Sequence, residues 1–132
     1  MGLQERSTAG AVTGLPLALL RLEGAAVLAA SVSLYAEFGR SWLLFALLLF
    51  VPDVGMLGYL VDTRIGAIAY DVLHTLVGPT VLLVIGVAAD GTTLTAVAII
   101  WFAHIGLDRA LGYGLKYADS FHHTHLGTIG RR

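Results

Sequence analysis

The chain has 132 residues, 57% of them hydrophobic and 13% charged, with a mean hydropathy of +0.81. Soluble domains carry about 25% charged residues, so this is a membrane composition, and a net charge of −1 gives no basis for a nucleic-acid partner. The sequence has no cysteine, which excludes disulfides, thiolate metal sites, iron–sulfur clusters and cysteine nucleophiles together.

Four stretches, 16–38, 41–60, 65–88 and 93–115, each supply the roughly 20 apolar residues a membrane-spanning helix needs. In the first, Arg21 and Glu23 interrupt the start and the apolar run is long for a signal sequence, so it reads as a retained helix. In the second, Pro52 removes a backbone donor beside Asp53 and predicts a kink that frees the Leu48 carbonyl. The connectors at 39–40, 61–64 and 89–92 are short enough to force consecutive helices into antiparallel contact. The expected fold is all-α, an up-down-up-down bundle of four transmembrane helices over 16–117. It is flanked by an N-terminal cytoplasmic segment, 1–15, and a C-terminal cytoplasmic tail, 118–132. Arg6, Arg64, Lys116, Arg131 and Arg132 fall on one side and Arg40 on the other. The positive-inside rule then places both termini in the cytoplasm; the chain is expected in the cell inner membrane, with the lipid bilayer as its main partner. Tyr35 and Trp42 near one interface, and Tyr113 and Tyr117 near the other, fit either aromatic belts or ordinary packing.

Inside these spans lie Arg21, Glu23, Asp53, Asp71, His74, His104, Asp108 and Arg109. A charge at mid-membrane costs about 2.5–3.5 kcal/mol on insertion scales, so the placement of these groups carries information. At 1.5 Å per residue, Glu23, Asp53, Asp71 and Asp108 each lie about 10–12 Å from the cytoplasmic end of their span, and His74 and His104 about one turn deeper. Every helix thus brings an acid to one level. Asp71 and His74 are spaced i, i+3, and His104 and Asp108 i, i+4, so each pair shares a helical face. Intramembrane ionisable groups face the bundle interior, and the six acids and histidines are expected to converge on one polar chamber. With neutral imidazoles, four carboxylates and two guanidiniums leave a surplus of two negative charges, which one divalent cation balances. Histidine with carboxylate suits Zn, Fe or Mn, and facing helices of bundles build metal sites in this way. The tail adds His122, His123 and His125, a promiscuous tract, with the expectation that the tail folds back and brings His125 to the chamber.

The strings Arg21-Leu22-Glu23-Gly24, Pro52-Asp53-Val54-Gly55-Met56-Leu57-Gly58-Tyr59, His104-Ile105-Gly106-Leu107-Asp108-Arg109 with its continuation to Tyr117, and Thr124-His125-Leu126-Gly127 resemble the DUF4260 family of small bacterial integral membrane proteins. The resemblance runs from Leu20 to Arg131, includes His125 but not His122 or His123, and implies a small integral membrane protein without an established activity. A weaker likeness is to membrane-bound metal-dependent hydrolases of the YdjM type, matched at Pro52-Asp53 but not in the Asp-x-Asp-His continuation of that pattern.

Four functions compete on these residues. The first is a metal-dependent hydrolase acting on an amphipathic or lipid-like small molecule. Its metal ligands come from Asp53, Asp71, His74, His104, Asp108 and His125, with Glu23 as general base and Arg109 as the anion partner. The second is a carrier of haem b with His74 and His104 as axial ligands. The third is proton or ion translocation, which in so narrow a protomer calls for a homodimer. The fourth is a scaffold whose ion pairs only specify helix packing.

Overall fold

The computed structural model describes residues 9–38 and 41–128. The connector 39–40 and four of the basic residues used for orientation, Arg6, Arg40, Arg131 and Arg132, lie outside them. Among the described residues, four helical segments are long and apolar enough to cross a membrane: Gly14–Glu37, Trp42–Leu60, Thr63–Ala88 and Thr92–Leu111. The first and last are single helices, α1 (Gly14–Glu37) and α5 (Thr92–Leu111). The second is α2 (Trp42–Leu48) followed by a 3-10 helix (Val51–Leu60), and the third is α3 (Thr63–His74) followed by α4 (Val77–Ala88). Both interruptions bear on the site.

Pro52 explains the first. It cannot donate to the carbonyl four residues back, and the chain tightens into a 3-10 helix in which Asp53 N–H bonds the Phe50 carbonyl at 3.1 Å. Ten residues is long for this geometry, and packing sustains it. With three residues per turn, Pro52, Gly55 and Gly58 form one face. A side chain on Gly55 would meet the Ala69 carbonyl at 2.9 Å, and one on Gly58 would meet Gly66 Cα at 3.0 Å, so the small residues let the 3-10 helix lie directly on α3. The adjoining face then carries Asp53, Met56 and Tyr59 in a line.

The second interruption, at Thr75 and Leu76, was not anticipated. Pro79 has no N–H for the Thr75 carbonyl and its ring crowds that group, and Thr75 is extended at φ −83°, ψ 151°. Two carbonyls released by the break find side-chain donors: Trp101 Nε1–H bonds Leu73 O at 2.7 Å and the Arg109 guanidinium bonds His74 O at 3.2 Å.

Helix α5 is the axis of the bundle, packed by α1, α4 and α2, with Ala96, Ile100, Ala103, His104 and Ile105 all buried. Apolar side chains on the other spans, such as Leu19, Leu43, Leu57 and Val84, point outward, as lipid-facing surfaces do. Helices α1 and α5 cross at Gly24 and Gly106. A side chain on Gly24 would reach Ala110 N at 2.7 Å, and one on Gly106 would reach Leu28 N at 2.6 Å. Because these obstacles are backbone, Gly24→Val is expected to lever α1 off α5. The expected loss is about 1–3 kcal/mol or more, read as a lower unfolding midpoint in detergent. At the far end of the crossing, Tyr35 is fully buried against Ala96, Ile99 and Ile100. Its ring packs on Trp42 and Phe45 at 5.1 and 5.0 Å, so Tyr35 is a core residue rather than part of an interfacial belt.

Helix α5 ends at Leu111, four residues short of the expected span. Gly112 adopts φ +90°, and Gly112 N–H and Tyr113 N–H return to the carbonyls of Arg109 and Asp108 as a left-handed helix terminus. Arg21 Nε–H bonds the Ala110 carbonyl at 3.0 Å and closes this helix end. The chain then turns back as a small cap. Strands β1 (His123–Thr124) and β2 (Gly127–Thr128) pair antiparallel, and Thr124 bridges to Lys116. Val12 N–H bonds His125 O at 2.8 Å, and His123 Nε2–H donates to Ala9 O at 2.6 Å. The chain entering α1 and the chain after α5 are therefore fastened together at one end of the bundle.

Candidate metal centre

Four side chains from three elements meet in the bundle: Asp53 from the 3-10 helix, His74 from the end of α3, and His104 and Asp108 from α5. Their ligand-type atoms all lie within 4.8 Å of one another. His74 Nε2 is 2.9 Å from His104 Nε2, 3.1 Å from Asp53 Oδ1 and 3.4 Å from Asp108 Oδ2. His104 Nε2 is 3.2 Å from each of the same two carboxylate oxygens. The imidazoles are 3% and 1% exposed, whereas Asp53 is 32% exposed, so the centre is closed on the histidine side and reached from the Asp53 side.

The surroundings fix the imidazoles. His74 Nδ1–H donates to the Tyr70 carbonyl at 2.7 Å, which in the neutral ring leaves the Nε2 lone pair directed into the cluster. The Tyr70 ring stacks on His74 at 3.7 Å and 10°. Arg109 holds the backbone of His74 through its carbonyl. The other nitrogen of His104, Nδ1, is buried without a well-formed hydrogen bond, the nearby acceptor being the Leu49 carbonyl left open where α2 gives way to the 3-10 helix. Two imidazole nitrogens and two carboxylate oxygens facing one point repel unless a proton or a cation stands among them. Four donors each about 2.0–2.1 Å from a tetrahedral ion are about 3.3–3.4 Å apart, close to the 2.9–3.4 Å separations between the two imidazole nitrogens and from each of them to the two carboxylates. This donor set fits a divalent metal.

The other expected members of the chamber lie elsewhere. The Asp71 carboxylate turns toward the cap and accepts the Lys116 amide N–H at 2.6 Å. Glu23 is exposed and lines a groove between α1 and α5 with Leu20, Val27, Leu76 and Arg109. The tail does fold back, but His125 stops one layer outside the four ligands. Its Nδ1 accepts Leu115 N–H at 2.8 Å and its Nε2 lies 3.0 Å from Arg109 Nη1. Burial and the charge of Arg109 lower its pKa below the ordinary imidazole value. Arg109 thus links the tail to the ligand-bearing end of α3.

Two residues of this environment carried no expectation from the sequence. Tyr70 was legible as the residue one turn before His74, on the same face. Lys116 counted only as a basic residue for orientation, yet it is 4% exposed. Its ammonium lies 3.4 Å from the centre of the Phe121 ring and 4.5 Å from that of Tyr70. Burial pushes its pKa down to about 8, against the opposing pull of Asp71, Asp108 and Asp53. In the unfolded chain the value is about 10.4, so between pH 8 and that value the unfolded state binds more protons than the folded one and stability rises with pH. Between pH 8 and 10 the detergent unfolding midpoint of the wild type is expected to rise relative to that of Lys116→Met. Parallel curves would contradict this.

A family model, that of a domain of unknown function, DUF4260, matches residues 17–129. No curated protein and no solved structure matches the chain.

Proposed function

The chain belongs to the DUF4260 family, and from the geometry of its centre we propose a multi-pass protein of the cell's inner membrane that binds one divalent ion, Zn, Fe or Mn, and uses it to hydrolyse an amphipathic substrate. The observation that carries this reading is the meeting of four lone-pair donors within 4.8 Å of one another inside an apolar bundle. Two carboxylates and two neutral imidazoles sum to −2, the charge one divalent ion cancels. The fastening of Val12 to His125, together with the basic residues outside the spans, supports both termini on the cytoplasmic side.

A site with four protein ligands is the structural type, whereas catalytic sites keep a position open. Asp53 favours the catalytic reading. It is the most exposed member of the four and, with Asp108, borders a cavity of about 390 Å3. In this assignment His74, His104 and Asp108 hold the ion. Asp53 shares it and receives the proton of the attacking water; Glu23, the base expected from the sequence, lines a groove with Leu20, Val27 and Arg109. A metal held here would supply Lewis acidity and acidify a nearby water. The hydroxyl of the attacking water would add to the acyl or phosphoryl centre, and its proton would pass by way of Asp53 to the departing alkoxide. Haem is not favoured, because Nε2 atoms 2.9 Å apart with two carboxylates beside them leave no gap for a macrocycle.

The test is release of p-nitrophenol from p-nitrophenyl decanoate and from decyl p-nitrophenyl phosphate by protein in mild detergent. Turnover of either that is lost on chelation, restored by Zn or Mn and abolished in Asp53→Asn supports the hydrolase. Retained metal with no turnover of either contradicts the hydrolytic part and leaves the metal centre standing.

A further inference from the structure

Lys116 carries a buried ammonium that forms no ion pair with a carboxylate among the described residues. Its ammonium donates to the Phe121 carbonyl at 2.9 Å and lies over the Phe121 and Tyr70 rings. Buried charges are ordinarily paired, and aromatic faces with one carbonyl compensate only part of the lost hydration. An ammonium has three N–H donors, and a single acceptor occupies one of them.

The cavity beside the metal centre is lined by this lysine as well as by Asp53 and Asp108, and the rest of its wall is largely apolar, including Phe50, Met56 and Leu107. Its volume of about 390 Å3 falls in the range of small-molecule sites, about 300–1,000 Å3. Leu111, also on the wall, is 58% exposed and marks where the cavity meets the lipid-facing surface. The charges near the cavity are Asp53, Asp108, Asp71, Arg109 and Lys116. With a divalent ion in place, Asp53 and Asp108 are neutralised, Asp71 and Arg109 offset each other, and the charge of Lys116 remains. Without the ion, the balance is negative.

We propose that the cavity binds a single-chain amphiphile with an anionic phosphate or carboxylate head, the head held between the metal ion and Lys116 and the chain lying along Phe50, Met56 and Leu107. The proposal rests on the metal reading above and narrows it to anionic lipid-like substrates. It also makes anion binding depend on the ion.

The test uses the full chain in a neutral maltoside detergent, loaded with Zn2+, with metal content measured in every sample. Thermal stabilisation is titrated with dodecyl phosphate, dodecanol and inorganic phosphate. Dodecyl phosphate is expected to bind about tenfold or more tightly than either of the others, and its effect should vanish when the metal is stripped. Lys116→Gln should weaken dodecyl phosphate about tenfold at unchanged metal content, and Lys116→Arg should retain it. Dodecanol binding as well as dodecyl phosphate would overturn the anionic head, and inorganic phosphate binding as well would overturn the chain site. Should Lys116→Gln fail to fold, the wild-type comparison of the three probes decides alone. Protein that holds no Zn2+ would instead refute the metal reading, a separate failure visible in the metal content.

Discussion

Replacing His104 with alanine is expected to abolish metal binding and with it every metal-dependent property of the protein. His104 is 1% exposed, and its Nε2 lies within 3.2 Å of His74 Nε2 and of both carboxylate oxygens, so no other described donor replaces it. An ion present at 1,000 times its Kd stabilises the folded state by about 4.1 kcal/mol. The wild type should therefore show a large rise in unfolding midpoint on adding Zn2+, and His104→Ala none. The metal-free proteins should differ less. The substitution leaves a cavity, which destabilises, but it also removes one of two nitrogen lone pairs facing each other at 2.9 Å. His122→Ala, in the cap and outside the four-ligand group, is the control and should respond to Zn2+ like the wild type. A Zn2+-induced shift of equal size in His104→Ala would remove this residue from the site.

The second large effect is expected at Arg109, which touches none of the four ligand atoms. Its guanidinium holds the carbonyl of His74 at 3.2 Å and meets His125 Nε2 at 3.0 Å. It is thus the link between the broken third span, the cap and the centre. Loss of such an outer partner costs about 10–100-fold in metal affinity, and leaving the buried His74 carbonyl unpaired costs about 1–3 kcal/mol. Arg109→Ala is expected to show both, with faster amide exchange at Leu115 and His125, whose N–H groups bond within the cap. Arg109→Lys has one nitrogen to cover two partners and should recover only part of the affinity. A fall in stability with metal affinity unchanged would make Arg109 a packing residue alone.

How far the sequence foretold the centre follows from what depth counting measures. Rise per residue gives height in the membrane, and at that level Asp53, His74, His104 and Asp108 do meet. It does not give the direction a side chain takes round the helix. Gly24 occupies the crossing with α5, so Glu23, one residue away, is turned by about 100° and faces outward. The pairing of Gly24 with Gly106 as small residues on two helices was the available signal, since it marks the contact face and not the polar face. Asp71 shares a face with His74 by spacing, yet its carboxylate is claimed by a backbone amide of the cap, a partner no helical periodicity reveals. The kink at Pro52 was legible because proline acts locally. The break at Thr75 was equally local, four residues before Pro79, but the apolar run through 76–88 hid it. The end of α5 at Leu111 was hidden because residues 112–115 are apolar enough to extend a span, and the left-handed Gly112 diverts them.

The central claim is that Asp53, His74, His104 and Asp108 form a site for one divalent ion. Elemental analysis of protein purified in mild detergent, after incubation with Zn2+ and removal of free metal, tests it most directly. About one ion per chain is expected, stripped by a chelator and missing from a His74→Ala, His104→Ala double variant that still runs as a folded species. Folded wild-type protein that retains no metal, or a double variant that retains as much as the wild type, would contradict it.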